Sequence, residues 1–356
     1  MGMKKIKELR VCEGFAGYGG ASFALKKLKD KFPDFKYNVV AYSEIDKYAI
    51  RLYNANHKAK NGENIKNFGD ITQINPNDNN LPDFDLFTGG FCCQPFSIAG
   101  MQMGFDDKYG RGNLFEYIVK ICATKKPKYI LLENVKGFLN KKFDKTREYM
   151  FSLFRDAGYV SDKNNPDESP FAIAVLNSLD YGIPQNRERV WMFARFGGLP
   201  KNFNIIPPKQ KNELKLANFL DPENLIPNKY YLSEEQISHL KEIHNIKSFI
   251  VDTPLCFDAY NKRIRWDGYS MTLTMPEHNS FRIIEAHKNK EVIRKMTPSE
   301  QFRLMGLESL NIEGRKVDID FTNLSYLQLS KRAANGWDVN LVTILLEHIF
   351  KQLQIL

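Results

Sequence analysis

Residues 85–97 read Asp-Leu-Phe-Thr-Gly-Gly-Phe-Cys-Cys-Gln-Pro-Phe-Ser, an apolar run that leads into two glycines and two thiols. The run has the length and composition of a buried strand, and the thiols follow just after its end. In an open α/β sheet, ligands and chemistry are found at the carboxyl ends of the strands. We therefore expect a nucleophile here, and Cys92 and Cys93 are the two candidates.

Around this stretch, the first half of the chain alternates short apolar runs with amphipathic stretches, which predicts βαβ units and a parallel sheet. Predicted strands span 9–13, 37–43, 64–70, 85–88, 129–133, 172–177 and 189–194, and predicted helices span 21–28, 47–56, 114–125 and 146–157. The early strands end at or near a polar residue, and these residues should meet at one edge of the sheet: Glu13, Glu44, Asp70, Cys93 and Glu133.

The second half has a different pattern. Between about 196 and 290 the chain is rich in prolines and polar clusters, with short β-like pieces at 249–251 and 269–273, which indicates a separate, loop-rich lobe. Residues 340–356 carry apolar side chains at helical spacing, so we predict a helix that covers another surface.

Composition narrows the class of protein. A chain of 356 residues with 43% hydrophobic residues can bury a large core, which excludes a disordered protein. Lysine and arginine exceed the acidic residues by 51 to 42, and this excess favours a polyanionic partner. The five cysteines form no C-x-x-C pair, so neither a disulfide framework nor a metal site is predicted. We expect a cytoplasmic protein, because no signal peptide or membrane-spanning run is present.

Several segments suit particular ligands. Residues 15–20, Phe-Ala-Gly-Tyr-Gly-Gly, follow a strand and open a helix, so backbone N–H groups can approach an anionic group. Ser22 stands where a dinucleotide-binding loop has its third glycine, which disfavours NAD. Residues 133–135 read Glu-Asn-Val and residues 185–190 read Gln-Asn-Arg-Glu-Arg-Val. A thiol, an acid that can stay protonated and paired guanidiniums suit addition to an electron-poor ring such as cytosine.

In this order, the motifs resemble those of the cytosine-C5 DNA methyltransferases of bacterial and phage modification systems, over nearly the whole chain. Residues 15–20 look like the cofactor loop, 90–97 like the nucleophile loop, 133–135 and 185–190 like the base-binding motifs, and 294–307 like the motif that organises the recognition lobe. The resemblance implies an α/β fold: a Rossmann-like S-adenosylmethionine-dependent domain of residues 1–196 plus 328–356, and a smaller target-recognition domain of residues 197–327.

The resemblance also implies roles for individual residues. Those expected at S-adenosylmethionine are Phe15, Ala16, Gly17, Gly19, Gly20, Glu44, Ile45, Asp70, Ile71, Leu114 and Asn335. Glu44 would accept hydrogen bonds from two ribose hydroxyls, and Asp70 would accept from the adenine amino group. The alternative is that Phe15, Ile45 and Leu114 belong to the core and that Asp70 caps a turn.

Cys93 is the implied nucleophile, because it immediately precedes Gln-Pro-Phe-Ser, and it would attack carbon 6 of a cytosine flipped out of duplex DNA. Glu133 would bind the ring N3 and the exocyclic amine, and Arg189 the ring O2. Arg187 either supports the loop or contacts the target phosphate. Cys92, at a position usually held by proline, would contribute mainly its backbone carbonyl. Residues 97–112 contain four glycines, which suggests a mobile lid or an ordinary surface loop.

Two segments depart from the family pattern. Residues 334–336 read Ala-Asn-Gly where Gly-Asn-Ser or Gly-Asn-Ala is usual, and Glu13-Gly14 stands where Asp-Leu is common. In the recognition lobe, residues 262–266 offer phosphate and guanine contacts, and residues 272–274, Thr-Leu-Thr, resemble a short motif of such lobes. The sequence does not identify the base that removes the carbon 5 proton.

The expected partner is double-stranded DNA, with the protein acting as a monomer and any cognate restriction endonuclease acting independently of it. An RNA (tRNA) cytosine-C5 methyltransferase of the same fold is the nearest alternative, and the substantial lobe after Arg189 favours DNA. A catalytically idle DNA-binding module is disfavoured by the presence of Cys93, Glu133 and Arg189.

Overall fold

A computed structural model describes residues 7–91, 114–161, 169–211, 213–244, 253–259, 263–275, 281–287, 290–307 and 319–356. The chain divides into two compact units. The first contains residues 1–176, 188–208 and 342–356, and the second contains residues 177–187 and 209–341. The sequence-based domains differ from this division at 177–187 and 328–341, which they assign to the catalytic domain, and at 197–208, which they assign to the recognition domain.

The first unit is built on a sheet whose described strands are β1 (Leu9–Gly14), β2 (Tyr37–Ser43), β3 (Leu86–Gly90), β4 (Tyr129–Val135), β5 (Ala172–Asn177) and β6 (Glu188–Arg195). Their order is β2-β1-β3-β4-β6-β5. Strands β2, β1, β3 and β4 pair in parallel, which confirms the predicted α/β fold.

Strand β6 departs from the predicted parallel arrangement, because it pairs antiparallel with β4. Only residues 178–187 separate β5 from β6, too few for the crossover that a parallel neighbour requires. The reversal sets Arg189, at the start of β6, opposite Val135 at the end of β4. The amino end of β6 therefore lies at the same edge of the sheet as the carboxyl ends of β1, β3 and β4.

Between the strands lie helices α1 (Gly20–Lys31), α2 (Lys47–Asn56), α3 (Leu114–Lys125) and α4 (Asp144–Asp156), close to their predicted bounds. The predicted strand at 64–70 is wrong, since this segment makes only one bridge, between Asn67 and Tyr42. Gly69 follows with a φ of 67°, a left-handed conformation that ends extended pairing.

The core of the first unit lies between the sheet and its helices. Its centre includes Phe87, Ile118, Ile130 and Leu132, each at most 1% exposed. The predicted C-terminal helix is present as the last helix, α8 (Val339–Gln352), and its residues from 342 onward belong to this unit. No helix in the described ranges is long and apolar enough to cross a membrane.

The second unit contains an antiparallel sheet of β7 (Leu255–Asp258), β8 (Arg263–Arg265), β9 (Phe281–His287) and β10 (Lys290–Arg294), in the order β10-β9-β7-β8. Its described helices are α5 (Glu234–His244), α6 (Pro298–Arg303) and α7 (Tyr326–Asn335). The β-like piece predicted at 249–251 lies outside the described residues. The piece predicted at 269–273 is not a strand and makes one bridge, from Ser270 to Gln185.

Candidate active site

The loop between β1 and α1 lies over the end of β2. Ala16 N donates to Ser43 O at 3.1 Å, and Gly19 N closes a turn onto Ala16 O at 2.8 Å. Gly17 and Gly19 have φ angles of 58° and 86°, a region that side-chain-bearing residues seldom adopt. A Cβ on Gly19 would also collide with the His57 ring, so the loop needs glycine there for space as well as for conformation.

The carboxylate of Glu44 holds this loop in place. Its Oε2 accepts a hydrogen bond from Gly17 N at 2.9 Å, and its Oε1 accepts from Ile45 N at 2.9 Å and from Asp46 N at 2.8 Å. Charge-assisted hydrogen bonds of this kind are the stronger ones. Ile45 beside it is 72% exposed, which is unusual for isoleucine and excludes the alternative that it belongs to the core.

Asn67 connects Glu44 to the segment that carries Asp70. Its Oδ1 accepts from Glu44 N and Gly69 N, and its Nδ2 donates to Glu44 O, with distances of 3.0–3.1 Å. Asp70 is exposed, and its Oδ1 caps the following turn by accepting from Thr72 N at 2.9 Å. Its capping role agrees with the alternative interpretation of Asp70, although its exposure also leaves it accessible to a ligand.

Apolar side chains lie beneath these polar groups. Ile71 is buried, and it lines a small cavity together with Gly14, Ser43, Phe68 and Phe87. Phe15 and Leu114 are partly buried and pack against the central core cluster. The edge at β1 and β2 therefore presents hydrogen-bonding groups above an apolar floor.

A buried acid lies under the same loop. Glu13, at the end of β1, is 2% exposed, and its Oε1 accepts from Tyr53 Oη at 2.8 Å and from the Ser22 hydroxyl. Burial raises the pKa of Glu13 to about 7, although both hydroxyls oppose the rise. Burial lowers the pKa of the neighbouring His57 to about 4.

At the other end of this edge, β4 and β6 bring together the two residues predicted to hold the base. Arg189 Nε lies 2.9 Å from Glu133 Oε1, and both side chains are less than 20% exposed. Arg189 Nη1 also donates to Glu188 O at 2.9 Å. Burial lowers the pKa of Arg189, and the charge of Glu133 opposes that change.

Asn134 links this pair to the segment that precedes the thiols. Its side chain is buried, its Nδ2 donates to Phe91 O at 3.0 Å, and its Oδ1 accepts from Val135 N at 2.8 Å. Phe91 is itself buried against Phe138. Asn134 therefore anchors the main chain just after β3, beside Glu133.

The model of the family described as C-5 cytosine-specific DNA methylase matches residues 9–351. The chain belongs to this family. Its members are DNA cytosine-5-methyltransferases, so the predicted family and the predicted enzyme class are confirmed.

Two curated relatives match almost end to end. The type II methyltransferase M.HaeII of Haemophilus aegyptius is 32% identical over 95% of this chain and 91% of its own length. The type II methyltransferase M.NgoBI of Neisseria gonorrhoeae is 30% identical over 92% of this chain and 89% of its own.

Among solved structures, S. pombe Dnmt2 methyltransferase superposes with a TM-score of 0.61 at 21% identity and covers 97% of this chain and 99% of its own. The Entamoeba histolytica methyltransferase EhMeth gives a TM-score of 0.62 at 18% identity, with 98% and 99% coverage. At these identities the likeness concerns the fold.

The structure places the predicted methylase residues in three groups. Those around the β1–β2 edge lie together in the first unit: Phe15, Ala16, Gly17, Gly19, Gly20, Glu44, Ile45, Asp70 and Ile71. Glu133 and Arg189 form the second group, in the same unit. Arg187 and Asn335 form the third, in the second unit. Cys92, Cys93 and residues 97–112 lie outside the described residues.

The sequence analysis gave no role to two residues that organise the candidate site, Asn67 and Asn134. Asn67 fixes Glu44 from a segment predicted to be a strand, and Asn134 fixes Phe91 from the middle of the Glu-Asn-Val motif. The position of Asn134 inside the Glu-Asn-Val motif could have indicated its role. No sequence pattern indicates the role of Asn67, because its partner Glu44 is 23 residues away.

Proposed function

We propose that this protein transfers a methyl group from S-adenosylmethionine to carbon 5 of a flipped-out cytosine in a short duplex DNA site, through a covalent adduct of Cys93 at carbon 6. The observation that carries the proposal is the Glu133–Arg189 ion pair, held at 2.9 Å at the sheet edge beside Phe91, which precedes the thiols. Together the two side chains offer the acceptor and donor groups that one edge of cytosine requires.

The residues at the β1–β2 edge fit S-adenosylmethionine. Glu44 Oε2 accepts a backbone hydrogen bond from Gly17 N, and a carboxylate oxygen has further acceptor capacity for a ribose hydroxyl. Exposed Ile45 offers an apolar surface to an adenine ring, and exposed Asp70 offers an acceptor to its amino group. When bound, this cofactor supplies an electrophilic methyl group on a sulfonium.

The chain's own residues would perform the remaining chemistry. The Cys93 thiolate forms a bond to carbon 6, and the ring's electron pair shifts so that carbon 5 becomes nucleophilic. A guanidinium has five N–H donors, of which the contacts to Glu133 and Glu188 use two, so Arg189 can also bind the ring O2. After methyl transfer a base removes the carbon 5 proton, the double bond re-forms and the Cys93 thiolate leaves.

The remaining parts of the proposal concern the cellular setting. The lobe predicted at residues 197–327 would read the DNA site, and the protein would act as a cytoplasmic monomer. It would belong to a restriction-modification system, with any cognate endonuclease acting independently. Since the orphan methyltransferase M.Rho11sI of Bacillus phage rho11s is 34% identical over 67% of this chain, a role without an endonuclease is the alternative setting.

The deciding experiment is bisulfite sequencing of DNA and RNA from cells that express the protein, with mapping of the adduct on duplex DNA containing 5-fluorocytosine. We expect 5-methylcytosine in one short DNA site and a covalent adduct, because fluorine cannot leave as a proton does. Cys93→Ser should abolish both, whereas Cys92→Pro should retain both. Methylation of RNA alone, or an adduct on Cys92, would contradict the proposal.

A further inference from the structure

Within the second unit, hydrogen bonds join residues 184–187 to residues 270–273, next to and within the Thr-Leu-Thr segment. Asn186 N donates to Ser270 O at 2.9 Å, and Ser270 N donates to Pro184 O at 2.7 Å. The fully buried Gln185 amide accepts from Leu273 N at 2.9 Å and donates to Leu304 O at 2.7 Å. A buried amide that both donates and accepts in this way fixes the register of the segments it joins.

Arg187 extends this connection to the segment that carries Asn335. Its Nη2 donates to Ala334 O at 3.0 Å and to Gly336 O at 2.8 Å, and its Nη1 reaches Leu273 O at 3.5 Å. Arg187 thus binds the carbonyls of the two residues on either side of Asn335. Asn335 itself is exposed at the end of α7, whereas the arginine that holds its backbone is buried.

A buried carboxyl group also interacts electrostatically with Arg187 inside the unit. Asp338 is buried nearby, and burial raises the pKa of its carboxyl group, while the charge of Arg187 opposes the rise. Asp338 Oδ1 accepts from Asn340 N and Leu341 N at the start of α8. Arg187 is 3% exposed, so its guanidinium is turned towards these carbonyls and away from solvent, where a DNA phosphate would lie.

We propose that Arg187 is a positioning residue that holds the Asn335 backbone against Leu273, and that it is not a phosphate contact. This proposal rests on the proposed function and on two expectations from the sequence: that Asn335 serves the cofactor and that the Thr-Leu-Thr segment serves recognition. Its consequence is that ordering of residues 272–274 by DNA and ordering of Asn335 by cofactor favour each other, and such coupling is reciprocal.

The test measures two affinities of the full-length protein: that for S-adenosylhomocysteine, by calorimetry with and without cognate duplex DNA, and that for the DNA across a salt series. Arg187→Met should weaken S-adenosylhomocysteine binding about tenfold and reduce its enhancement by DNA. The salt slope of DNA affinity should stay unchanged. The double variant Arg187→Met/Asn335→Ala should bind no more weakly than Asn335→Ala alone.

The control is Lys211→Met, which removes an exposed lysine paired with Glu213 and should change no cofactor affinity. If thermal unfolding shows that Arg187→Met does not fold, Arg187→Lys replaces it; with one ammonium for three carbonyls it should give an intermediate cofactor affinity. A salt slope reduced by about 0.9, as for a lost phosphate contact, would overturn the proposal. So would additive effects of the two substitutions.

The wild-type and Glu44→Ala proteins separate this proposal from the proposed function. If the wild type binds no S-adenosylhomocysteine, the proposed function fails. A different result would overturn only the role of Arg187: the wild type binds S-adenosylhomocysteine, Glu44→Ala does not bind it, and Arg187→Met binds it with full affinity.

Discussion

The two ends of the sheet edge hold their acidic residues by different means. Next to β1 and β2, the Glu44 carboxylate is bound by three backbone N–H groups, so main-chain conformation builds the site. Next to β4 and β6, Glu133 is bound by the side chain of Arg189 across two antiparallel strands. We therefore expect changes at the first end to alter cofactor binding, and changes at the second to alter the rate of methyl transfer.

Arg189→Met should have the largest effect. Removing a donor that stabilises charge developing on the ring oxygen should lower kcat by about 10²–10³-fold. Affinity for S-adenosylhomocysteine, measured by calorimetry, should change less than about twofold, because in the described structure Arg189 contacts Glu133 and Glu188 but not the cofactor loop. Lys136→Met, which breaks the more exposed ion pair with Glu188, is the control. A loss of affinity as large as the loss of rate would show that the two ends are not separable.

Glu44→Gln should have the next largest effect, on binding. An amide keeps one acceptor oxygen but points an N–H group at a backbone donor, and a hydrogen bond to a charged group contributes about 1.5–3 kcal/mol. The Kd for S-adenosylhomocysteine should rise about 10- to 100-fold, with kcat at saturating cofactor nearly unchanged. Glu63→Gln, at an exposed carboxylate bound by Asn61, should leave both unchanged. A fall in kcat with constant Kd would refute the distinction between the two ends.

Substitutions at two glycines of the loop test whether main-chain conformation builds the β1–β2 end of the sheet edge. Gly17→Ala should cost about 1 kcal/mol of unfolding free energy, because only the left-handed φ is strained and no atom lies within 4 Å of the new Cβ. Gly19→Ala should cost about 2 kcal/mol or more, since its Cβ also meets His57 and Tyr53. Urea unfolding of both variants checks the order, and equal losses would mean that packing under the loop is loose.

An effect of similar size to those of the glycines is the pH dependence of stability that Glu13 confers. Its folded pKa of about 7 lies above the unfolded value, so the folded state retains a proton that the unfolded state has lost. The stability contributed by this proton is complete below the unfolded pKa and is lost as the pH rises through 7. Between pH 6 and 8 the wild type should therefore lose about 1.4 kcal/mol relative to Glu13→Gln. If the free energies of unfolding of the wild type and of Glu13→Gln differ by the same amount at pH 6 and at pH 8, the pKa of Glu13 is not raised.

The sequence predicted the first end better than the second, for a physical reason. The β1 loop, Glu44 and the bounds of α2 depend on contacts within a few tens of residues, and glycine spacing and capping residues report them. The Glu133–Arg189 pair depends on β6 running antiparallel, whereas the predicted sheet was parallel. The residues came together because the amino end of a reversed strand meets the carboxyl end of its neighbour.

Other parts of the site could not be read from local pattern. Residues 64–70 are β-like in composition, but the side chain of Asn67 is hydrogen-bonded to Glu44. The left-handed φ of Gly69 then ends the extended conformation that strand pairing requires. Likewise, residue type does not distinguish Arg187 from Arg189, yet one is buried among carbonyls and the other faces a carboxylate. Burial by distant segments decides that difference, and the motif does not encode it.

The return of residues 342–356 to the first unit has a consequence for biosynthesis. Leu345, Leu346 and Ile349 of α8 are fully buried, and Glu347 forms an ion pair with Lys31 of α1. The unit that begins with β1 is therefore completed only after the whole second unit has been translated, roughly 15 seconds or more after β1 at elongation rates of about 5–20 residues per second. Until then the apolar surface under α8 is open, so a ribosome-bound nascent chain is the species in which chaperone dependence and protease sensitivity should be greatest.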